Sequence, residues 1–341
     1  MGFLAVLVAL ILEQARPLER GNWVHAGFRA WARWSNRTLD AGQTHHGWIA
    51  WGAAVLVPSL LTMVIHLLLW RFSVLLAFLW SVCILYITLG FRQFSHYFTD
   101  IRDALDSGDE VTARALLAQW RQVDASELPR SEIVRHVIEY SVLAAHRHVF
   151  GVLVWFSVMA AMGLGPAGAV MYRMSEFVAR YWVFKSQNAG LVGDGASPAL
   201  QIVALKAWGW IDYVPVRVTA LGFAVVGSFE DAIDAWRTFT QRFAAEAPAA
   251  TNDRNDGLLL AATSGAVNVR LGGEVLRSVF LGSAAESRSL VIDSEPPATT
   301  ESTPGREPEL AHLRSIVGLV WRSVVLWMVL LALLTLARLL G

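Results

Sequence analysis

The residues best placed by type and spacing to do chemistry lie in one apolar stretch, 199–229, ALQIVALKAWGWIDYVPVRVTALGFAVVGSF. It is apolar enough to enter a membrane, yet it carries Lys206, Asp212 and Arg217. At the centre of a bilayer such groups cost roughly 2.5–3.5 kcal/mol each. They persist there by pairing, or by lining a wet cavity within a bundle. Pro215 stands between the acid and the second base and removes a backbone donor. The carbonyl it frees and the charged groups would then share a polar pocket at membrane depth. Two readings are open: a pocket that binds something, or a structural ion pair, Asp212 to Arg217, that locks helix packing.

Other chemistry is sparse. There is no Walker A loop, no GxGxxG after a strand, no HExxH, no GxSxG and no CxxC pair. The single cysteine, Cys83, sits in an apolar run, which excludes a disulfide or a thiolate metal cluster within one chain. His146 and His148 are two apart and so fall on different faces of a regular helix. With His136 they read as solvated interfacial histidines, and no metal site is expected. Arg135 and Glu139 form an i, i+4 pair, worth a few tenths of a kcal/mol and by itself no sign of catalysis.

The 341 residues are 55% hydrophobic and 16% charged, with 15 Trp, a membrane profile rather than a soluble two-domain one. Zero formal net charge gives no reason to expect nucleic acid as a partner. The fold class expected is all-α: a polytopic integral membrane bundle of four or five spans, with a helical hairpin as its main polar loop. Residues 1–46 read as a half-span followed by an interfacial helix, in which arginines interleave with Trp23, Phe28, Trp31 and Trp34. The apolar run 47–91 reads as a membrane hairpin turning near His66–Ser73, or as one crossing plus an in-plane helix, with a kink at Pro58. Residues 92–148 read as the polar helical hairpin, one helix opened by a Ser107-x-x-Glu110 capping box and a second over 131–148. Region 149–229 holds the central spans, including a crossing over 149–171 whose Gly-Pro-Ala-Gly end allows close helix approach or a broken helix. Region 230–315 is extramembrane and contains a Pro/Ser/Thr/Glu-rich linker, 286–313, expected to be disordered. A last span closes the chain at 316–341. If 47–91 crosses twice, arginines near the membrane ends favour segments 13–46 and 92–148 both on the cytoplasmic side. The lipid bilayer is the partner the composition implies, and the bacterial inner membrane the location.

Three stretches together resemble the CobD/CbiB family of membrane proteins. GPAGAVMYR at 165–173, IDYVPVRVTAL at 211–221 and NDGLLLAATSGAVNVRLGG at 255–273 are similar to three of that family's segments. The resemblance implies formation of adenosylcobinamide phosphate, in which an aminopropanol-type amine joins a corrinoid carboxyl as an amide. Its catalytic candidates here are Asp124, Glu139, Glu176 and Asp212. Ligand-binding candidates are Arg173, Asp212, Arg217, Arg135, Lys206 and Asn255. A corrinoid is the ligand this activity implies, and no cofactor is expected otherwise.

The chain departs from the pattern where charge matters. Leu143, Ala144 and Arg147 stand where the family has Glu, Asn and Asp, and Trp208 and Gly209 replace paired aspartates. These departures resemble the related AmpE branch, inner-membrane proteins linked to β-lactamase regulation. LEQARPLERGNW at 12–23 is similar to that branch's opening, and the branch also places an Arg where Arg147 stands. The leading expectation is therefore a catalytically diverged, regulatory or ligand-binding member, with a protein partner in the membrane or cytoplasm. The alternative is a working synthase.

Overall fold

The computed structural model describes residues 2–16, 23–90, 92–121, 125–187, 195–245, 251–272 and 303–340. Among them the secondary structure is helical, apart from one isolated parallel bridge between Val269 and Arg306. The order is α1 (Gly2–Ala15), α2 (Trp23–Leu39), α3 (Thr44–Phe72), α4 (Val74–Thr88), α5 (Arg92–Asp106), α6 (Glu110–Arg121) and α7 (Arg130–Ala145). A π-turn (His146–Phe150) then leads into α8 (Gly151–Ala161), followed by α9 (Ala167–Gln187), α10 (Pro198–Val226), α11 (Phe229–Ala245), α12 (Thr251–Val267) and α13 (Leu310–Leu340).

Four helical stretches are long and apolar enough to cross a membrane: Thr44–Phe72, Arg130–Ala161, Pro198–Val226 and Leu310–Ala337. The chain reverses at Ser73, whose extended backbone (φ −161°, ψ 131°) breaks the apolar run after Phe72. Helix α4 then folds back on α3, with Trp80 Nε1 donating to Thr62 O at 3.3 Å. Helices α1 and α4 span only about 21–23 Å at 1.5 Å per residue, short of a 30 Å hydrocarbon core. They pack side by side, tied where Tyr86 OH donates to Arg16 O at 2.6 Å. Pro58 leaves α3 unbroken; Ser59 and Thr62 hydroxyls donate to the carbonyls of Val55 and Pro58 there.

Two expectations are corrected, the first of them by glycine. The crossing expected over 149–171 does not exist as one helix; the long helix runs 130–161 and the chain reverses before α9. Gly163 (φ +80°) and Gly165 (φ +63°) take left-handed backbone that other residues adopt only under strain, and a Cβ on Gly165 would sit 2.3 Å from the His66 ring. Uniform hydrophobicity hides such a turn. The cap of α6 is also displaced: Asp109, not Ser107, holds the first turn, accepting from Thr112 N (3.0 Å) and Thr112 Oγ1 (2.6 Å). Ser107 Oγ instead donates to Ala104 O at the end of α5.

Of the linker expected over 286–313, residues 286–302 lie outside the described residues. Residues 303–309 are tied down by backbone rather than by an apolar core: Thr303 N donates to Leu271 O (2.7 Å) and Arg270 N to Arg306 O (2.8 Å). Helix α13 begins directly after, at Leu310.

Helix α10 lies at the centre. Its first turns meet α3 at Gly47 and Trp48, with Trp48 stacked on Trp210 at 5.6 Å between centroids. Further along, Trp208 meets Tyr172 of α9 and Ile211 meets Trp155 of α8. Helix α12 runs back along the outer half of α10, from Asn255 beside Gly209 to Ala266 beside Gly227. Pro215 does not stop α10. The carbonyl it strands, that of Ile211, receives the Trp155 indole N–H at 3.0 Å, so a neighbouring helix restores the lost bond.

Candidate functional site

Asp212 is completely buried, and its partner is not Arg217. Its Oδ1 lies 2.8 Å from His146 Nε2 and accepts from Tyr172 OH at 2.8 Å. The expected Asp212–Arg217 pair is thereby overturned. Five residues on a helix turn the side chain about 140° away, so the two groups face opposite sides. Arg217 points outward, donating to Tyr213 O at 2.8 Å and lying 3.4 Å over the Tyr213 ring. Lys206 is likewise outside, 5.2 Å over Trp210.

His146 is fully buried, which corrects its reading as a solvated interfacial histidine; His136 is buried as well. His146 is the first residue of the π-turn, an irregularity that shifts the register of the helix and is frequent at functional sites. Its Nδ1 lies 2.9 Å from Thr219 Oγ1, and Thr219 Oγ1 is also 2.9 Å from Pro215 O. The one hydroxyl proton serves either the ring or the carbonyl. With it on the carbonyl, Nδ1 is the donor and a single proton is shared between Nε2 and Asp212. With it on the ring, Nε2–H faces the carboxylate. The second oxygen, Asp212 Oδ2, is buried with no hydrogen-bond partner among the described residues. Gly151 makes room for this arrangement: a Cβ there would lie 2.1 Å from the Tyr172 hydroxyl.

The next residue of the π-turn opens a second, more exposed layer. Arg147 Nη2 pairs with Asp256 Oδ2 at 2.5 Å and lies within electrostatic reach of Glu176 and Asp212. Glu176, buried on α9, is held between Arg173 Nη1 (2.8 Å) and Arg180 Nη2 (2.5 Å). Arg121, at the end of α6, reaches the same field beside Arg147 and Asp256 and lies 3.9 Å over the Tyr140 ring. Four guanidiniums thus surround Glu176 and Asp256, an excess of positive charge that grades from the buried Glu176 side chain (1% exposed) out to Arg180 (52% exposed). Such a field accepts an anionic group, and guanidiniums present fixed, always-charged donors to carboxylate or phosphate. Asn255, next to Asp256, is buried; its Nδ2 donates to Gly209 O at 3.0 Å while Oδ1 has no partner among the described residues.

A third group is a clamp. Arg135 bonds Glu132 (2.5 Å), Glu139 (2.9 Å) and Gly272 O (2.9 Å), and Glu139 Oε1 accepts Gly272 N at 2.8 Å. His136 Nδ1 adds a contact 3.4 Å from Glu139 Oε2. This i, i+4 pair is buried and fastens the turn after α12 onto α7.

Of the candidate residues, Asp212, Glu176, Arg173 and Asn255 are gathered around the π-turn, and Arg135 and Glu139 form the clamp. Arg217 and Lys206 lie outside both, and Asp124 falls outside the described residues. Sequence reasoning missed His146, Tyr172, Thr219, Asp256, Arg121 and Arg180. Tyr172 and Thr219 were within reach, since both lie in the segments that carry the resemblance. The three segments, 165–173, 211–221 and 255–272, meet at this one place.

A protein-family model described as CobD/Cbib protein matches residues 3–303. The chain is similar to a protein of Stutzerimonas stutzeri (strain A1501) named "Cobalamin biosynthesis protein CobD", 27% identical over 298 residues, covering 87% of this chain and 84% of that one. It is also similar to a protein of the same name from Chromobacterium violaceum, 30% identical over 199 residues, 58% of this chain and 57% of that one. No solved structure matches.

Proposed function

The chain belongs to the CobD/CbiB family, and on that premise we propose that it forms a corrinoid amide in cobalamin biosynthesis, as an adenosylcobinamide-phosphate synthase of the inner membrane. Four apolar helices and the family make it a multi-pass membrane protein with the bilayer as its environment. Two relatives bearing a cobalamin-biosynthesis name, one of them aligned over most of both chains, support the synthase over a regulatory role.

The observation that carries this reading is the arginine field beside the buried Asp212–His146 pair. Amide formation joins the amine nitrogen to the carboxyl carbon once a nucleoside triphosphate has activated the carboxylate as an acyl phosphate. The acyl C–O bond then breaks and phosphate leaves as an anion. Both the phosphate of the product and that leaving group need positive charge in a site shielded from water. Arg147, Arg173, Arg180 and Arg121 supply it. The amine must lose a proton as it attacks, and Asp256, Glu176 and the Asp212–His146 pair are the bases at hand. Of these, Asp256 is the one both partly exposed and next to Arg147.

The test is chemical. Membranes from cells lacking their own corrinoid amide synthase, carrying this chain and supplied with corrinoid acid, the amine and a nucleoside triphosphate, should yield the amide by mass spectrometry. Absence of the amide, with the chain present in the membrane, would withdraw the proposal.

One observation favours a second reading. Leu143, Ala144 and Arg147 still replace acid or amide positions of the family, and the AmpE branch likewise places an Arg where Arg147 stands. On that reading the same pocket binds a ligand or a membrane or cytoplasmic protein for regulation, without turnover. It predicts an effect of deletion on β-lactamase expression with no change in corrinoids.

A further inference from the structure

Helices α10 and α11 splay from the turn at Gly227–Ser228 and leave between them a groove of about 430 Å³. Its walls are Val218 and Leu221 from α10 and Ile233 and Trp236 from α11, with Arg217 and Arg237 at the rim. The two arginines stand equally far from Gly227 in sequence, one on each helix, which puts them opposite each other at the open end. Neither has a carboxylate partner among the described residues. Asp212 is in electrostatic reach of Arg217, but its bonded oxygen goes to His146 and Tyr172 on the other side of α10. Arg254 adds a third positive charge near Arg217.

We propose that this groove binds one anionic phospholipid, its phosphodiester between Arg217 and Arg237 and the start of an acyl chain along Leu221, Ile233 and Trp236. The walls are apolar, so a freely soluble anion would leave them in water. The flank of α10 beside the groove continues as exposed Val214 and Val225, with exposed Phe229 at the start of α11, an apolar surface suited to lipid. Basic pockets between membrane helices hold lipid head groups in this way. The uncompensated charge selects an anionic head group over a zwitterionic one. Arg217 is held ready by its stacking on Tyr213, which leaves its unbonded N–H groups to the groove.

The experiment is native mass spectrometry of the full chain in detergent, titrated with phosphatidylglycerol or phosphatidylcholine. The chain should retain one phosphatidylglycerol and little phosphatidylcholine. The double variant Arg217→Gln with Arg237→Gln should weaken phosphatidylglycerol binding roughly thirtyfold, on the scale of two basic groups at a lipid surface. Leu221→Trp, which keeps both charges and fills the floor, should lower retention as well, so that loss does not depend on the charge variants folding. Arg102→Gln, on the polar hairpin, should change nothing. Equal retention of the two lipids, an unchanged double variant, or release of the lipid by millimolar inorganic phosphate would overturn the proposal.

Discussion

The two faces of α10 put the same kinds of residue to opposite uses. Inward, Asp212 is sealed against His146, Tyr172 and Thr219 with no solvent contact. Outward, Lys206 and Arg217 lie over aromatic rings of their own helix, as basic side chains do near a membrane interface. Charge in an apolar stretch is therefore not one feature. A group that turns inward must find its partner on another helix, whereas one that turns outward needs only a ring and a route to the head groups.

The largest effect separating the faces is on stability. Asp212→Ala strands the His146 and Tyr172 polar groups in the core and should cost about 3–5 kcal/mol, the scale for breaking a buried pair. Arg217→Ala should cost no more than about 1 kcal/mol. Thermal melts of the detergent-solubilised variants measure both, and equal shifts would erase the distinction. Gly151→Ala probes the inner face without touching charge. The new methyl meets the Tyr172 hydroxyl, and the overpacking should cost about 1–3 kcal/mol, read in the same melts. Trp155→Phe removes the donor that serves the Ile211 carbonyl stranded by Pro215. The loss should be about 1–2 kcal/mol, and Pro215→Ala in the same background, which restores the helical N–H, should recover part of it.

The smallest effect lies outside the membrane, at the α6 cap. Hydrogen bonds from the Thr112 hydroxyl, and then from its backbone N–H, hold the Asp109 carboxyl below its ordinary pKa. A lowered carboxyl pKa means that the cap contributes above the ordinary value and fades as pH falls through the folded one. Amide exchange in the first turn of α6 should accelerate on acidification below the ordinary carboxylate range. A rate that merely follows intrinsic chemistry would show the cap to be idle.

The all-helical architecture and three of the four long apolar helices were legible because their signal is additive: many apolar residues in succession, each independent of tertiary context. What failed was anything depending on one backbone angle. A reversal at Gly163 and Gly165 leaves the apolar run 149–171 unbroken in sequence, and a π-turn at His146 looks like ordinary helix. Assigning faces by regular periodicity turned His146 outward, so the partner of Asp212 was sought among cations. A five-residue spacing separates helix faces rather than joining them, which rules out the Asp212–Arg217 pair. Arg135 and Glu139 show the converse, a correct local pair whose weight came from Gly272, more than a hundred residues away.

The central claim is that the arginine field around Arg147 supports corrinoid amide formation. Its most direct test is cobalamin-dependent growth of a strain lacking its own synthase, carrying either this chain or its Arg147→Gln variant at matched membrane levels. The account predicts growth with the first and its loss with the second. No growth with the unaltered chain, present in the membrane, would contradict it and leave the regulatory reading in its place.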